Sequence, residues 1–202
     1  MQTHEAAQHT SATVQNPAVC VALCVDDYGL HEGVNRAVGE LAALGRELLD
    51  DEQFAQTPSW VGSPAETGPL ARQANWVASL FAAEYWPAAR MLARLIELVR
   101  LSQGSAGYQA RAVALDPQRA VAAVDTARGL LLHAVAVDAH GQVADWRILP
   151  PTAWNFHPEG AWAAALDRVL PEQAEAAARR AALWLDPCVE YQLMIRDSRQ
   201  YA

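Results

Sequence analysis

The sequence predicts an α+β fold that is mainly helical, with one antiparallel β-hairpin at about residues 129–149. Two observations carry this prediction. The first is a pair of strand-length runs, Leu130 to Val137 and Gln142 to Leu149, joined by the turn Asp138-Ala139-His140-Gly141. Such runs around a short polar link that ends in Gly are typical of a hairpin. The second is a series of Ala- and Leu-rich stretches on both sides of the hairpin, which favour helices.

The composition of the chain favours a globular protein and argues against nucleic-acid-binding and membrane-spanning proteins. With 202 residues, of which 52% are hydrophobic, the chain can bury a core of its own. Its net charge of −8 argues against a nucleic-acid partner. No window approaches the roughly 20 apolar residues of a membrane span, so no membrane association is expected. Three cysteines and a first segment that holds Glu5 but no Arg predict a reduced, cytoplasmic location.

The order of elements predicts three parts. Residues 1–17 are polar, which predicts a flexible tail. Residues 18–46 are expected to form a strand-turn-helix extension, and residues 47–202 are expected to form the main domain. In the extension, the apolar run Val19 to Val25 predicts a short strand. Asn35 to Leu44 predicts a helix that ends at Gly45, and a further short helix is expected within Glu47 to Ala55.

The first half of the main domain predicts two long helices. One begins at Pro69 and runs from Leu70 to Glu84, and Pro87 then breaks it. The next carries an apolar stripe that predicts a core-facing side, while charged residues of the same helix are expected to face away. The stripe is Met91, Leu92, Leu95, Ile96 and Val99, and the charged residues are Arg90, Arg94 and Glu97.

Further helices are expected around the hairpin. Asp116-Pro117 has the sequence of a helix start, which predicts a helix to about Ala127. Glu159 to Leu170 and Glu172 to Leu185 predict two Ala-rich helices. Asp186-Pro187 repeats the start signal and places Cys188 in the first turn of a last helix, where the helix dipole would lower the pKa of a thiol.

Several of these stretches together resemble a known family. Pro64 to Arg72, Arg128-Gly129, the hairpin, Pro151-Thr152-Ala153-Trp154-Asn155 and Asp186-Pro187-Cys188 follow the order of motifs in the large subunit of nickel-iron hydrogenases. The match extends over roughly residues 48 to 196. The resemblance implies a pocket that surrounds an iron atom carrying cyanide and carbonyl ligands.

The departures from this family indicate a different function. Hydrogenase large subunits hold nickel and iron with two Cys-x-x-Cys pairs, because soft thiolates bridge the metals. Here the second pair reads Cys188-Val189-Glu190-Tyr191, and the first has no counterpart. The chain therefore resembles the HupK/HoxV type of hydrogenase maturation protein. This resemblance implies a non-catalytic scaffold or chaperone, which takes the Fe(CN)2CO unit as transient cargo and no nickel. The implied partners are other hydrogenase maturation proteins and the hydrogenase large subunit.

The resemblance also names candidate binding residues. Arg128 and Thr152 match positions that surround the iron-bound cyanides, and Cys188 is the candidate iron ligand. A guanidinium suits this role, because it offers several donors and keeps its charge. Simpler interpretations stay open: Arg128 could pair with a carboxylate at the strand entrance, and Cys188 could be an inert core cysteine. Trp154 and Asn155 are expected to shape the loop.

A second, shorter resemblance lies near the start of the chain. Leu23-Cys24-Val25-Asp26-Asp27-Tyr28-Gly29-Leu30 with Gly33-Val34-Asn35 is similar to the opening of YdjC-like carbohydrate deacetylases, in which Asp27 would help bind a catalytic metal. A lone Asp cannot localise such a metal. A capped strand-to-helix turn explains the same residues. A deacetylase fragment and a docking protein without bound metal are thus the alternative functions.

The remaining cysteines and histidines have simple expected roles. Cys20 and Cys24 are predicted to be small buried hydrophobic residues. His133 should be half-buried on a strand, whereas His140 and His157 should be exposed.

Overall fold

The computed structural model describes residues 32–83, 85–167, 169–187 and 190–194. In these ranges it contains seven α-helices, one 3-10 helix and a four-stranded antiparallel sheet, which confirms the predicted α+β class. The helices are α1 (Glu32–Asp50), α2 (Pro69–Arg72), α3 (Ala74–Ala82), α4 (Trp86–Ser102), α5 (Pro151–Asn155), α6 (Ala161–Leu166) and α7 (Ala174–Leu185), with the 3-10 helix at Pro171–Gln173. The strands are β1 (Ala110–Ala114), β2 (Arg119–Thr126), β3 (Gly129–Val137) and β4 (Val143–Leu149).

The predicted hairpin is the pair β3 and β4. The sheet order is β1-β2-β3-β4, so each strand pairs with its neighbour in sequence. Asp138 organises the connecting turn, since its Oδ1 accepts hydrogen bonds from the backbone N–H groups of His140 (2.8 Å) and Gln142 (2.9 Å). Gly141 completes the turn with a φ of 75°, a conformation that favours glycine.

The helix predicted from Asp116-Pro117 to Ala127 is wrong, because this stretch forms β2. The Asp116 carboxylate accepts hydrogen bonds from the backbone N–H groups of Gln118 (2.9 Å) and Arg119 (2.8 Å), and Leu115 N–H donates to Arg119 O (2.8 Å). These bonds close a tight turn between β1 and β2. An Asp followed by Pro is favoured in such turns as well as at helix starts, so the local signal was ambiguous.

The predicted end of α1 at Gly45 is also wrong. The helix continues to Asp50 and includes the start of the short helix predicted at 47–55. Gly45 serves close packing instead: a Cβ at this position would lie 2.6 Å from the Cβ of Val121 on β2. The helix buries Leu41, Leu44 and Leu48 in the core.

The region from 69 to 102 packs around a small apolar core. The long helix predicted from Leu70 is divided into α2 and α3 at Gln73, and Pro87 lies in the first turn of α4, where its missing N–H costs nothing. The core consists of buried residues and two partly buried neighbours. They are Leu70, Val77, Ala89 and Ala93, with Leu80 and Ile96 packed against them.

The predicted orientation of α4 is wrong. The charged residues Arg90 (7% exposed) and Glu97 (5%) are buried, and the apolar stripe faces outward apart from the partly buried Ile96. The small side chains Ala89 and Ala93 allow α4 to approach its neighbours closely. The two buried charges are compensated by ion pairs with Glu66 and Arg72.

The end of the chain differs from the prediction in two places. The helix expected at 159–170 is reduced to α6. The last helix predicted at Asp186-Pro187 is wrong: Asp186 ends α7 in a left-handed conformation (φ 53°), and Glu190–Met194 has no helical residue. Cys188 itself lies outside the described residues.

The histidines follow the predictions in part. His140 is exposed, as predicted. His133 is half-buried, also as predicted; its ring stacks on Trp146 (5.8 Å between centroids), and its Nδ1 accepts the indole N–H at 3.2 Å. The prediction for His157 is wrong, since it is only 7% exposed. Its Nδ1 accepts a hydrogen bond from the backbone N–H of Glu159 (3.0 Å).

The chain divides into two compact units. Among the described residues, the first comprises 32–51, 110–123 and 132–148, and holds α1 and most of the sheet. The second comprises the described residues within 52–109, 124–131 and 149–194, and holds α2 to α7. The predicted tail, the strand at 19–25 and the first part of the 18–46 extension, residues 18–31, lie outside the described residues. No helix in the described ranges has the length and apolar character needed to cross a membrane.

Candidate functional site

Asn155 joins three of the motif segments within the second unit. Its side chain is almost fully buried (4% exposed) at the end of α5. The amide Nδ2 donates a hydrogen bond to Arg128 O (3.0 Å), and Oδ1 accepts one from the Thr67 backbone N–H (2.9 Å). Thr67 Oγ1 in turn accepts a hydrogen bond from Leu130 N–H (3.2 Å). One carboxamide therefore holds the loop before α2, the turn before β3 and α5 together.

Two glycines allow the same segments to approach closely. A Cβ on Gly68 would lie 2.7 Å from Arg128 O, and a Cβ on Gly129 would collide with the Thr67 hydroxyl. Both residues also have positive φ angles, 110° and 145°, which side chains rarely tolerate. The backbones of 67–68 and 128–129 can therefore lie this close only with glycine at both places.

A tight turn fixes the backbone of Arg128. Thr126 Oγ1 accepts hydrogen bonds from the N–H groups of Arg128 (3.3 Å) and Gly129 (3.2 Å), and donates one to Gly129 O (2.8 Å). The turn connects β2 with β3, the two inner strands of the sheet, so the backbone position of Arg128 is set by this turn.

The Arg128 side chain lies at the end of α7. Its Nε donates to Asp186 O (3.2 Å) and lies 3.3 Å from the Asp186 carboxylate. Arg94 from α4 donates to Trp184 O (2.8 Å) and lies 4.0 Å from the same carboxylate. Two cations thus neutralise the carbonyl end of the helix. The carboxylate pairing considered for Arg128 from sequence is present, and the Arg128 side chain remains 42% exposed.

Thr152 lies in the first turn of α5 and is half-buried. Asn155, three residues further along the same helix, is the residue of α5 that forms a hydrogen bond with Arg128. Trp154 anchors this helix, since it is 1% exposed and packs edge-to-face on Phe54 (6.4 Å between centroids). Trp154 and Asn155 therefore shape the loop, as expected. The other two candidates, Cys188 and Asp27, lie outside the described residues, although Asp186-Pro187 leads directly to Cys188.

The cleft beside Arg128 is small. It has a volume of about 10 Å³ and is lined by residues that include Glu66, Thr67, Arg94 and Asn155. This is about the space of one water molecule. A larger ligand would have to contact Arg128 from its exposed side.

An ion pair between the buried Arg90 and the half-buried Glu66 was missed by sequence reasoning. Arg90 donates two hydrogen bonds to Glu66 (2.9 and 2.7 Å), a paired geometry that suits a guanidinium and a carboxylate. Both residues also line an adjoining cavity of about 310 Å³, which Trp86 and Trp184 line as well. Glu66 belongs to a motif quoted from the sequence, but its partner is 24 residues away and only tertiary structure selects it.

A second ion pair supports α2 and α4. Arg72 binds Glu97 with two hydrogen bonds (2.7 and 3.0 Å) and donates a third to Thr126 O (2.9 Å). Burial alone would lower the pKa of Arg72, but the Glu97 carboxylate outweighs it and raises the pKa above its ordinary value. Burial, followed by the negative charge of Glu97, also raises the pKa of Tyr108, whose hydroxyl lies 3.4 Å from that carboxylate.

The part of the chain that the structure describes contains no cluster of three or more His, Cys, Asp or Glu side chains able to hold a metal ion. The residues around Arg128 supply guanidinium groups, hydroxyls and an amide, and the carboxylates of Glu66 and Asp186 pair with Arg90 and Arg128. Guanidinium groups, hydroxyls and amides bind and orient anionic or hydrogen-bond-accepting ligands.

Sequence comparisons identify relatives of this chain. No model of a known protein family matches it. It is 35% identical over 175 residues to the hydrogenase expression/formation protein HoxV of Cupriavidus necator, covering 78% of this chain and 45% of the relative. It is 31% identical over 172 residues to the corresponding protein HupK of Bradyrhizobium diazoefficiens, covering 80% and 47%. For HupK of Rhizobium leguminosarum the identity is 30% over 171 residues, covering 80% and 46%.

The chain spans about half the length of these curated relatives. The matched region nevertheless covers about four fifths of the chain itself, more than any single motif. The resemblance predicted from the motifs is confirmed: this chain is a homologue of the HupK/HoxV-type hydrogenase expression/formation proteins.

Proposed function

We propose that this chain is a non-catalytic scaffold in the maturation of nickel-iron hydrogenases, which helps to assemble or transfer the iron-dicyano-carbonyl unit. The names of its relatives support the maturation role. The observation that carries the proposal is the node at Asn155, which draws Thr67, Arg128 and α5 together. These segments are among those that resemble hydrogenase large subunits, and two of them hold Arg128 and Thr152, which match positions around the iron-bound cyanides.

Arg128 would recognise the cyanide ligands of the cargo. A cyanide nitrogen bound to iron carries negative charge and accepts hydrogen bonds, so a fixed guanidinium is a suitable donor. Asp186 uses the Nε–H of Arg128, and the two terminal nitrogens donate to no other residue among those described. These nitrogens are therefore available on the exposed side of the site, where a cargo larger than the cleft would have to lie. Thr152 would add a hydroxyl donor from α5.

Cys188 would supply the iron ligand. It follows Asp186-Pro187, and the end of α7 that precedes it is held by Arg94 and Arg128. A single thiolate can ligate one iron, but it cannot hold iron and nickel together in the way that two Cys-x-x-Cys pairs do. This difference favours a protein that carries the iron fragment without nickel and performs no hydrogen chemistry.

A deletion strain tests the function. In the native host, we expect loss of this gene to lower nickel-iron hydrogenase activity, and we expect the wild-type chain to restore it. Cys188→Ser should fail to restore activity and should purify without iron. Cys24→Ser is the matched control, because Cys24 has no counterpart in the iron pocket, and it should behave like wild type. Normal hydrogenase maturation in the deletion strain would contradict the proposal.

The same experiment separates a docking protein from an iron carrier. Partner proteins of the hydrogenase maturation system should co-purify with the wild-type chain. If they also co-purify with Cys188→Ser, and neither protein contains iron, the chain docks partners without carrying cargo.

A further inference from the structure

The outward side of α4 is almost entirely apolar. Five large side chains on it are between 39% and 63% exposed, while Arg90 and Glu97 on the opposite side are buried. The five are Met91, Leu92, Leu95, Leu98 and Val99. A surface helix normally places charged residues toward water, so this arrangement is inverted. It indicates a helix that is built to be covered on both sides.

The spacing of the exposed residues suits a helical partner. Met91, Leu95 and Leu98 lie four and three residues apart, which is the pattern of positions that interlock with a second helix. Leu92 and Val99 widen the same stripe. The exposed fractions together amount to roughly three whole apolar side chains, and contiguous exposed patches of this kind mark interaction surfaces.

A groove continues the apolar face toward α3. It has a volume of about 600 Å³ and is lined by Trp76, Leu92, Leu95 and Val99, with Arg100 at its edge. Trp76 is 64% exposed. Arg100 lies over the Trp76 ring at 5.8 Å and donates to Gln73 Oε1 (3.1 Å), so its guanidinium is held in place. Most of the residues that line the groove belong to α3 and α4.

We propose that the apolar face of α4, together with Trp76, docks a helix from the polypeptide that corresponds to the rest of the relatives' length. The relatives are about twice as long as the region that matches this chain. The relatives therefore have additional polypeptide that could cover the exposed apolar face of α4. With that helix in place, α4 would be an interior helix. This inference does not depend on whether iron is carried.

Co-expression tests the inference. The chain is produced together with the part of Cupriavidus necator HoxV that lies outside the matched region, and the latter carries an affinity tag. We expect the two to co-purify as a one-to-one complex. Leu95→Glu and Leu98→Glu should each weaken the complex at least tenfold. Leu183→Glu is the matched control, since Leu183 is 70% exposed on α7, and it should leave the complex unchanged.

Circular dichroism of each variant shows whether the chain still folds. All three substitutions are at exposed positions, so we expect helix content and melting temperature to be retained. Failure of the wild-type chain to co-purify would overturn the inference, as would a complex that tolerates both substitutions on α4. Concentration-dependent self-association that is lost in Leu95→Glu, without capture of the HoxV segment, would instead identify a second copy as the occupant.

Discussion

Replacing Asn155 by Ala tests whether one carboxamide holds the site together. The substitution removes two hydrogen bonds and leaves the Thr67 N–H and the Arg128 carbonyl without their partner in a part-buried location. An unpaired buried polar group costs about 1–3 kcal/mol. Because both orphaned groups are only part-buried, we expect the free energy of unfolding to fall by about 2–4 kcal/mol. Urea denaturation followed by circular dichroism measures the change.

Asn75→Ala provides the matched control. It is the same substitution at an exposed position of α3, and surface changes of this kind usually stay within about 0.5 kcal/mol. If Asn155→Ala costs no more than Asn75→Ala, then the amide does not tie the segments together. The proposal that Asn155 holds Arg128 beside the loop that contains Thr67 would then be refuted.

Three further predictions concern packing, charge and pH. Gly39→Ala should raise the free energy of unfolding by about 0.5–1 kcal/mol, since a Cβ at this position in α1 has free space around it. Gly45→Ala should instead lower the free energy of unfolding by about 1–3 kcal/mol, because the new methyl group meets Val121 on β2. Thermal melts of both variants test these opposite signs. Glu97→Gln should lower the free energy of unfolding by about 3 kcal/mol, because it removes the nearer of the two carboxylates beside the largely buried Arg72 (2.7 Å, against 3.7 Å for Asp125). A loss below about 1 kcal/mol in urea denaturation would contradict this. Because the pKa of Tyr108 is raised in the folded state, Tyr108 contributes stability below the ordinary tyrosine pKa of 10.0, and this contribution is lost as pH rises through the higher folded-state pKa. Tyr108→Phe should therefore lose less stability than wild type above pH 10.0. Equal losses of stability in alkaline denaturation would contradict the assignment.

Local sequence patterns correctly predicted the elements for which the pattern is typical of only one kind of structure. The first run of the hairpin is almost continuously apolar, the second alternates at strand spacing, and a turn that Asp138 closes separates them, so β3 and β4 could be predicted from sequence. Asp116-Pro117 is different, because an Asp followed by Pro occurs at helix starts and in tight turns alike. Only the pairing of β2 with β1 and β3 decides between them, and such pairing depends on residues far apart in sequence.

The orientation of α4 shows the same limit. Its apolar stripe predicted a core-facing side, yet Ala89 and Ala93 face inward, and the stripe is exposed. Sequence periodicity finds both faces of such a helix but does not say which one the described neighbours cover. The candidate site was predicted as separate motifs, and Asn155 was expected only to shape its loop. Its contacts with Thr67 and Arg128 span 88 and 27 residues, distances over which no local pattern acts.

Infrared spectroscopy tests the central proposal most directly. The protein is purified without oxygen from cells that produce a nickel-iron hydrogenase. We expect carbonyl and cyanide stretching bands in the wild-type protein. We also expect the cyanide bands to shift or disappear in Arg128→Leu, because the proposed donors to the cyanide nitrogens are removed. The absence of these bands from the wild-type protein, or bands that Arg128→Leu leaves unchanged, would contradict the proposed role of this site.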